Sequence, residues 1–159
     1  MGPQEKEMWV CGNMNKTTRT LMFSSKRQDW ATPKWLFDIL NDIYNFTLDP
    51  CATKHTAKCK KYYTKEQDGL SKSWKGERVF VNPPFGREIK KWIKKGYEES
   101  IDSNTLVVFL IPARTDTSYF HDYIYNKAKI VFLRGRIKFG GSDNPAPFPS
   151  MLVILKGGN

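Results

Sequence analysis

Apolar residues fall into short clusters whose spacing changes along the chain. Leu36, Ile39, Leu40 and Ile43 recur at helical spacing and predict an amphipathic helix, with Thr32 as its cap and Pro33 at its first position. Residues 46–50 predict a short strand ending on Asp49 and Pro50. Residues 79–81 predict another, running straight into Asn82-Pro83-Pro84-Phe85-Gly86. A second helix is expected after Gly86, with Ile89, Trp92, Ile93 and Tyr97 inward and Lys90, Lys91, Lys94 and Lys95 outward. Residues 106–111 are uninterruptedly apolar, the pattern of a fully buried strand, and Pro112 stops it. Asp116 or Thr117 is placed to cap a helix carrying Phe120 and Ile124. Residues 130–139 and 151–155 predict two last strands, joined by a loop rich in Gly and Pro.

Strands alternating with helices, then two strands nearly in succession, predict a compact α/β three-layer, Rossmann-like domain. Its sheet is mostly parallel with an antiparallel last strand. Such sheets bind ligands at the carboxyl ends of their strands, where Asp49 and Asn82 both stand. Residues 1–27 lack periodicity and mix Asn and Ser with Lys16, Arg19, Lys26 and Arg27. They read as a basic flexible arm, and residues 28–159 as a single domain.

Length and composition narrow this picture. A chain of 159 residues has room for one domain, and 40% hydrophobic residues suffice for a core. No apolar run reaches the roughly 18 residues of a membrane-spanning helix, and the first residues lack the apolar stretch of a secretory signal. Three cysteines, an odd count, fit reduced thiols in a cytoplasmic setting. The net charge of +10 favours a polyanionic partner. Its distribution is informative: residues 51–78 carry eight Lys/Arg against three Asp/Glu, whereas residues 31–50 carry one Lys against three Asp. The positive charge thus lies in connections around the expected site.

Asn82-Pro83-Pro84-Phe85 suits one chemical task, making a conjugated amine nucleophilic. Adenine's exocyclic nitrogen has its lone pair delocalised into the ring. Two acceptors aimed at its N–H bonds, the Asn82 side-chain oxygen and the Pro83 carbonyl, would localise that pair. Pro83 and Pro84 stiffen the backbone and bring no N–H to compete. Phe85 offers a flat face to an unstacked base.

This motif after an apolar strand resembles the catalytic motif of S-adenosylmethionine-dependent amino methyltransferases. The ordered set Asp29-Trp30-Ala31-Thr32-Pro33, Leu48-Asp49-Pro50-Cys51-Ala52, Asp68-Gly69-Leu70, Asn82 to Gly86, Ile111-Pro112-Ala113-Arg114-Thr115-Asp116, Gly135-Arg136-Ile137-Lys138-Phe139 and Ala146 to Met151 is similar to the phage-type DNA adenine methyltransferases. The resemblance implies methyl transfer from S-adenosylmethionine to adenine N6 in double-stranded DNA, with the base flipped out. By position it implies cofactor contacts from Trp30, Thr32, Pro33, Asp49, Pro50, Cys51, Ala52, Asp68 and Leu70. Asp68 stands where these enzymes hold the cofactor's adenine amine. The chain departs from most methyltransferases in carrying Cys51-Ala52-Thr53-Lys54 where glycines follow the first-strand acid, and Glu66 is a poor ribose ligand. RNA adenine, a protein glutamine amide, or a decayed DNA-binding scaffold are the alternative readings. Monomer and weak dimer both remain open.

Other constellations add less. Arg114, Arg134, Arg136 and Lys138 are the expected DNA contacts, flanking strand ends or glycine. Cys51, His55 and Cys59 recur every fourth residue and Cys11 would make a fourth ligand, but zinc sites use tighter Cys pairs, so no metal is expected. His121 reads as a surface residue.

Overall fold

The computed structural model describes residues 30–157; the basic arm expected over residues 1–27, and Cys11, lie outside them. Helix α1 (Lys34–Tyr44) leads to β1 (Leu48–Asp49) and β2 (Lys61–Tyr62), then a single 3-10 turn (Gly69–Ser71) and β3 (Arg78–Val81). Helix α2 (Ile89–Glu99), β4 (Leu106–Pro112), a π-helical turn (Phe120–Ile124), β5 (Lys129–Phe132) and β6 (Ser150–Lys156) complete the order.

The six strands form one sheet in the order β2-β1-β3-β4-β6-β5. β1, β2, β3 and β4 pair in parallel, and β6 runs antiparallel to both β4 and β5. This is the α/β fold expected, with its antiparallel last strand inserted beside β4. The long pairings lie in the half built on β4, whose residues 107–111 are buried and uniformly apolar because both faces are covered.

Residue parity places the helices. Phe80 lies 5.3 Å from Phe37 of α1, so α1 covers the sheet face to which Phe80 points. Val81 points the other way and is in register with Phe109. A Cβ on Gly96 of α2 would lie 2.4 Å from the Phe109 ring, so α2 packs closely on this opposite face. The result is three layers around one core. At the β1 edge, Glu77 accepts hydrogen bonds from Thr47 Oγ1 and Lys61 Nζ, tying the two short strands to β3.

Several local expectations are corrected. Thr32 does not cap α1: it is buried, and Pro33 occupies the cap position, its carbonyl receiving the Phe37 amide at 3.1 Å. Ile39 and Ile43 are exposed, at 54% and 63%, whereas Leu36, Phe37 and Leu40 are buried. The Phe37 ring seats between Phe46 and Phe80, which turns α1 away from the expected stripe. Asn45, in the left-handed conformation, ends the helix. Lys95 is not fully outward; it pairs with Glu99 and lies over the Trp74 ring. Thr117 receives the Phe120 amide at 3.4 Å as anticipated, but the helix it precedes is a single wide turn. The strand expected over residues 130–139 stops at Phe132. Ile137 and Phe139 are buried between exposed Arg136 and Lys138, so the alternation is real, but it belongs to a loop folded over the sheet's end.

Candidate functional site

Asn82 follows β3 directly, and parity points its side chain to the face covered by α1. Its Nδ2 donates to the carbonyl of Trp30, four residues ahead of α1, at 2.8 Å. That bond fixes the amide's orientation, since only the NH2 group can donate to a carbonyl. The other end, Oδ1, is buried and has no partner among the described residues. An unpaired buried acceptor costs free energy, which a bound donor would recover. Pro83 is buried and Pro84 half-buried, and Gly86 turns the chain at φ 99°, a conformation that suits glycine.

Three aromatic rings cluster about Trp30, whose carbonyl holds this amide. Trp30 lies 5.8 Å from Phe85, 5.6 Å from Phe139 and 5.4 Å from Phe148; Phe85 and Phe148 are 5.3 Å apart. Phe85 is therefore a packed wall, 7% exposed, rather than an open platform. The loop after β5 delivers two of these rings. It is held by the Gly140 amide on the Ala31 carbonyl (3.0 Å) and the Ala146 amide on the Ile137 carbonyl (2.7 Å). Neither Phe139 nor Phe148 was singled out by sequence reasoning for this role. Both fall in segments that carry the family resemblance, Phe139 at the end of the strand expected over residues 130–139 and Phe148 in the closing Ala146 to Met151 run, but neither was given a part in the site.

The second cluster lies at the end of β1. Asp49 is buried, and its two oxygens receive the Lys58 amide at 3.0 Å and the Cys51 amide at 3.4 Å. Burial raises its pKa to about 6, against the lowering effect of the two amides and the Lys58 charge. In place of a glycine-rich loop, residues 51–60 fold as successive turns around this carboxylate, with Thr53 and Thr56 bonded to each other's amides. Pro50 and Ala52 are buried and Cys51 is half-buried. The Cys51 thiol is pushed well up by burial first and by the Asp49 charge second, and Cys59 is pushed up to about 12 by burial, then by the Asp49 and Glu77 charges. Both thiols stay protonated and are not nucleophiles.

Asp68-Gly69-Leu70 is brought to this cluster across the chain. A Cβ on Gly69 would lie 2.0 Å from the Pro50 carbonyl oxygen, so only glycine permits the contact. Asp68 itself is exposed and in the left-handed conformation, and Leu70 is half-buried. Trp74 Nε1 donates to the Gly69 carbonyl at 3.0 Å and locks the turn. Thr32 is buried and Pro33 half-buried at the start of α1.

Arg134, Arg136 and Lys138 are exposed on the loop that carries Phe139, and Arg114 is half-buried two residues past β4. All four stand on segments that leave the carboxyl end of β4 or enclose the aromatic rings. Residues 51–59 are not helical, so Cys51, His55 and Cys59 do not share a helix face, and among the described residues no three His, Cys, Asp or Glu are placed to hold a metal. His121 is exposed, its Nε2 paired with the Thr115 carbonyl at 2.9 Å. Among the described residues no helix is long and apolar enough to cross a membrane.

Comparison with known proteins bears directly on this arrangement. The family model for DNA N-6-adenine-methyltransferase (Dam) matches residues 19–156. A DNA N-6-adenine-methyltransferase of Haemophilus phage HP1 is 30% identical over 147 residues, covering 87% of this chain and 84% of the relative. A DNA N-6-adenine-methyltransferase of Escherichia phage T1 is 29% identical over 150 residues, covering 93% of this chain and 61% of the relative.

Proposed function

The chain belongs to the DNA N-6-adenine-methyltransferase (Dam) family, and we propose that it methylates adenine N6 in double-stranded DNA with S-adenosylmethionine as the methyl donor. One observation carries the reading: Asn82 Oδ1 is buried and unpaired while the rest of its amide is tied to Trp30. An N–H of the adenine amine satisfies that acceptor, and the Pro83 carbonyl takes the other N–H. Both bonds draw the nitrogen toward a tetrahedral geometry and localise its lone pair. An acceptor this deeply buried is reached only by a base that has left the stack, so base flipping precedes transfer. Phe85, with Trp30, Phe139 and Phe148, walls the base and excludes water.

The residues at the end of β1 fit the donor. A buried carboxylate with a pKa near 6 is ionised at pH 7 and favours a cationic ligand. S-adenosylmethionine supplies an electrophilic methyl on a sulfonium sulfur, so no strong general base is needed before transfer. Asp49, Pro50, Cys51 and Ala52 hold the donor with Trp30, Thr32 and Pro33. Asp68 and Leu70 take its adenine. Positioning and electrostatics supply most of the rate. Arg114, Arg134, Arg136 and Lys138 contact phosphates. The protein works in the cytoplasm of a bacterial or phage-infected cell, where DNA and donor meet.

Transfer of tritiated methyl to plasmid DNA, to RNA and to cell protein tests this reading. Label in DNA at adenine supports it; label confined to RNA or protein overturns it. Absence of any melting shift with S-adenosylmethionine would favour a decayed DNA-binding scaffold, because a ligand bound only by the native state stabilises that state.

A further inference from the structure

Asn82 Oδ1 is not alone in lacking a partner among the described residues: Ser150 Oγ, like the Tyr119 hydroxyl, is buried without one as well. Ser150 is 1% exposed, and its backbone is already held. It pairs with Pro112 in the ladder, its carbonyl receives the Leu133 amide at 3.1 Å, and the preceding Pro149 carbonyl receives the Ala113 amide at 2.9 Å. The hydroxyl thus makes no hydrogen bond to the described residues, and alanine here would avoid the cost of burying it.

Register shows where the hydroxyl points. Phe80 pairs with Val108 on the face of α1; Leu110 and Pro112 follow on that face at two-residue steps, and Ser150 pairs with Pro112. Asn82, two residues past Phe80, is on the same face at the same end of the sheet. Phe148, two residues before Ser150, belongs to the ring cluster beside Asn82. β3 and β6 are two strand spacings apart, about 9.5 Å, and the register places Ser150 two residues, about 7 Å, beyond Asn82 along the strands. A base that gives Asn82 the amine N–H facing away from N1 and turns N1 to Ser150, each through a hydrogen bond of about 2.9 Å, spans this separation when both side chains lean inward.

Resting on the functional reading above, we propose that the Ser150 hydroxyl donates a hydrogen bond to ring N1 of the flipped adenine, next to the N6 amine held by Asn82. Flipped bases are read on their Watson–Crick edge, where N1 is the acceptor beside the amine. Ser150 thereby stops the base rotating in its plane and keeps N6 aimed at the donor. It is a substrate-binding residue to which the sequence assigns no role: Ser150 lies within the closing Ala146 to Met151 segment of the resemblance, but a lone serine after Phe-Pro has no periodic signature.

The test uses an oligonucleotide containing the methylated site, mapped beforehand by sequencing methylated adenines, in versions with adenine, 1-deazaadenine or 7-deazaadenine at the target. On adenine, Ser150→Ala should lower kcat/KM by about tenfold to a hundredfold, the worth of one buried hydrogen bond. The melting shift with S-adenosylmethionine should stay at the wild-type value. On 1-deazaadenine, wild type and Ser150→Ala should be equally slow, and 7-deazaadenine should behave like adenine. Wild-type rates from Ser150→Ala on adenine would overturn the proposal. So would an equal loss on 1-deazaadenine, or a lost cofactor shift. A wild-type protein unable to methylate DNA would overturn the functional reading itself, a separate and recognisable failure.

Discussion

Two buried polar groups stand at the carboxyl ends of neighbouring strands, and they are treated oppositely. Asp49, after β1, is closed: both carboxylate oxygens are occupied by backbone amides of the loop it organises. Asn82, after β3, is open: one end of its amide is fixed on Trp30 and the other is left unpaired. The contrast separates architecture from chemistry. A closed group shapes a loop and tunes a local field, so changes near it should move stability and cofactor affinity. An open group contributes little to folding, so changes there should move turnover alone.

The largest expected effect is at the open site. Asn82→Ala should reduce methyl transfer by at least about 10²–10³-fold, with the melting temperature within about 4 °C of wild type. A large fall in melting temperature would show that Asn82 is structural after all, and the contrast would break. Next is Gly69→Ala at the closed site, where the added methyl meets the Pro50 carbonyl. Chemical denaturation should show a loss of about 1–3 kcal/mol, accompanied by weaker cofactor binding.

A smaller, graded effect is expected with pH. The pKa of Asp49 is raised to about 6, above its unfolded value near 4. The folded protein then binds more protons between those two values, so this group's contribution makes stability fall as pH rises from about 4 to about 6. A cationic ligand prefers the carboxylate, so calorimetry should show S-adenosylmethionine affinity weakening as pH drops below about 6. The slope should approach tenfold per pH unit and flatten in Asp49→Asn. An unchanged affinity from pH 7 to 5 would remove Asp49 from the cofactor site. Smallest of all, Ile39→Ser or Ile43→Ser on the exposed face of α1 should change stability by less than about 0.5 kcal/mol; a loss several times larger would mean that this face is covered in solution.

The sequence made the open site easier to find than the closed one. Asn82-Pro83-Pro84-Phe85 is contiguous and follows an apolar strand, so spacing and residue chemistry located it without a fold. The parallel sheet with its antiparallel last strand was legible too, because buried strands such as residues 106–111 are uniformly apolar. Asp49 was recognisable by position, but not that Lys58 and Cys51 amides would replace a glycine-rich loop, since backbone donors leave no mark in side-chain identity. The aromatic wall escaped for a different reason. Trp30, Phe85, Phe139 and Phe148 come from three separate segments, and only tertiary closure brings them together. Ile39 and Ile43 misled because helical spacing cannot tell which of two adjacent apolar stripes a core will accept, and Phe37 decided it.

The central claim is that the unpaired oxygen of Asn82 receives the adenine amine. Its most direct test is mass spectrometry of nucleosides from DNA incubated with S-adenosylmethionine and either the wild type or Asn82→Ala, with melting shifts confirming that both bind the cofactor. N6-methyladenine from the wild type and none above background from the variant is the predicted result. Equal N6-methyladenine from both proteins would contradict the claim.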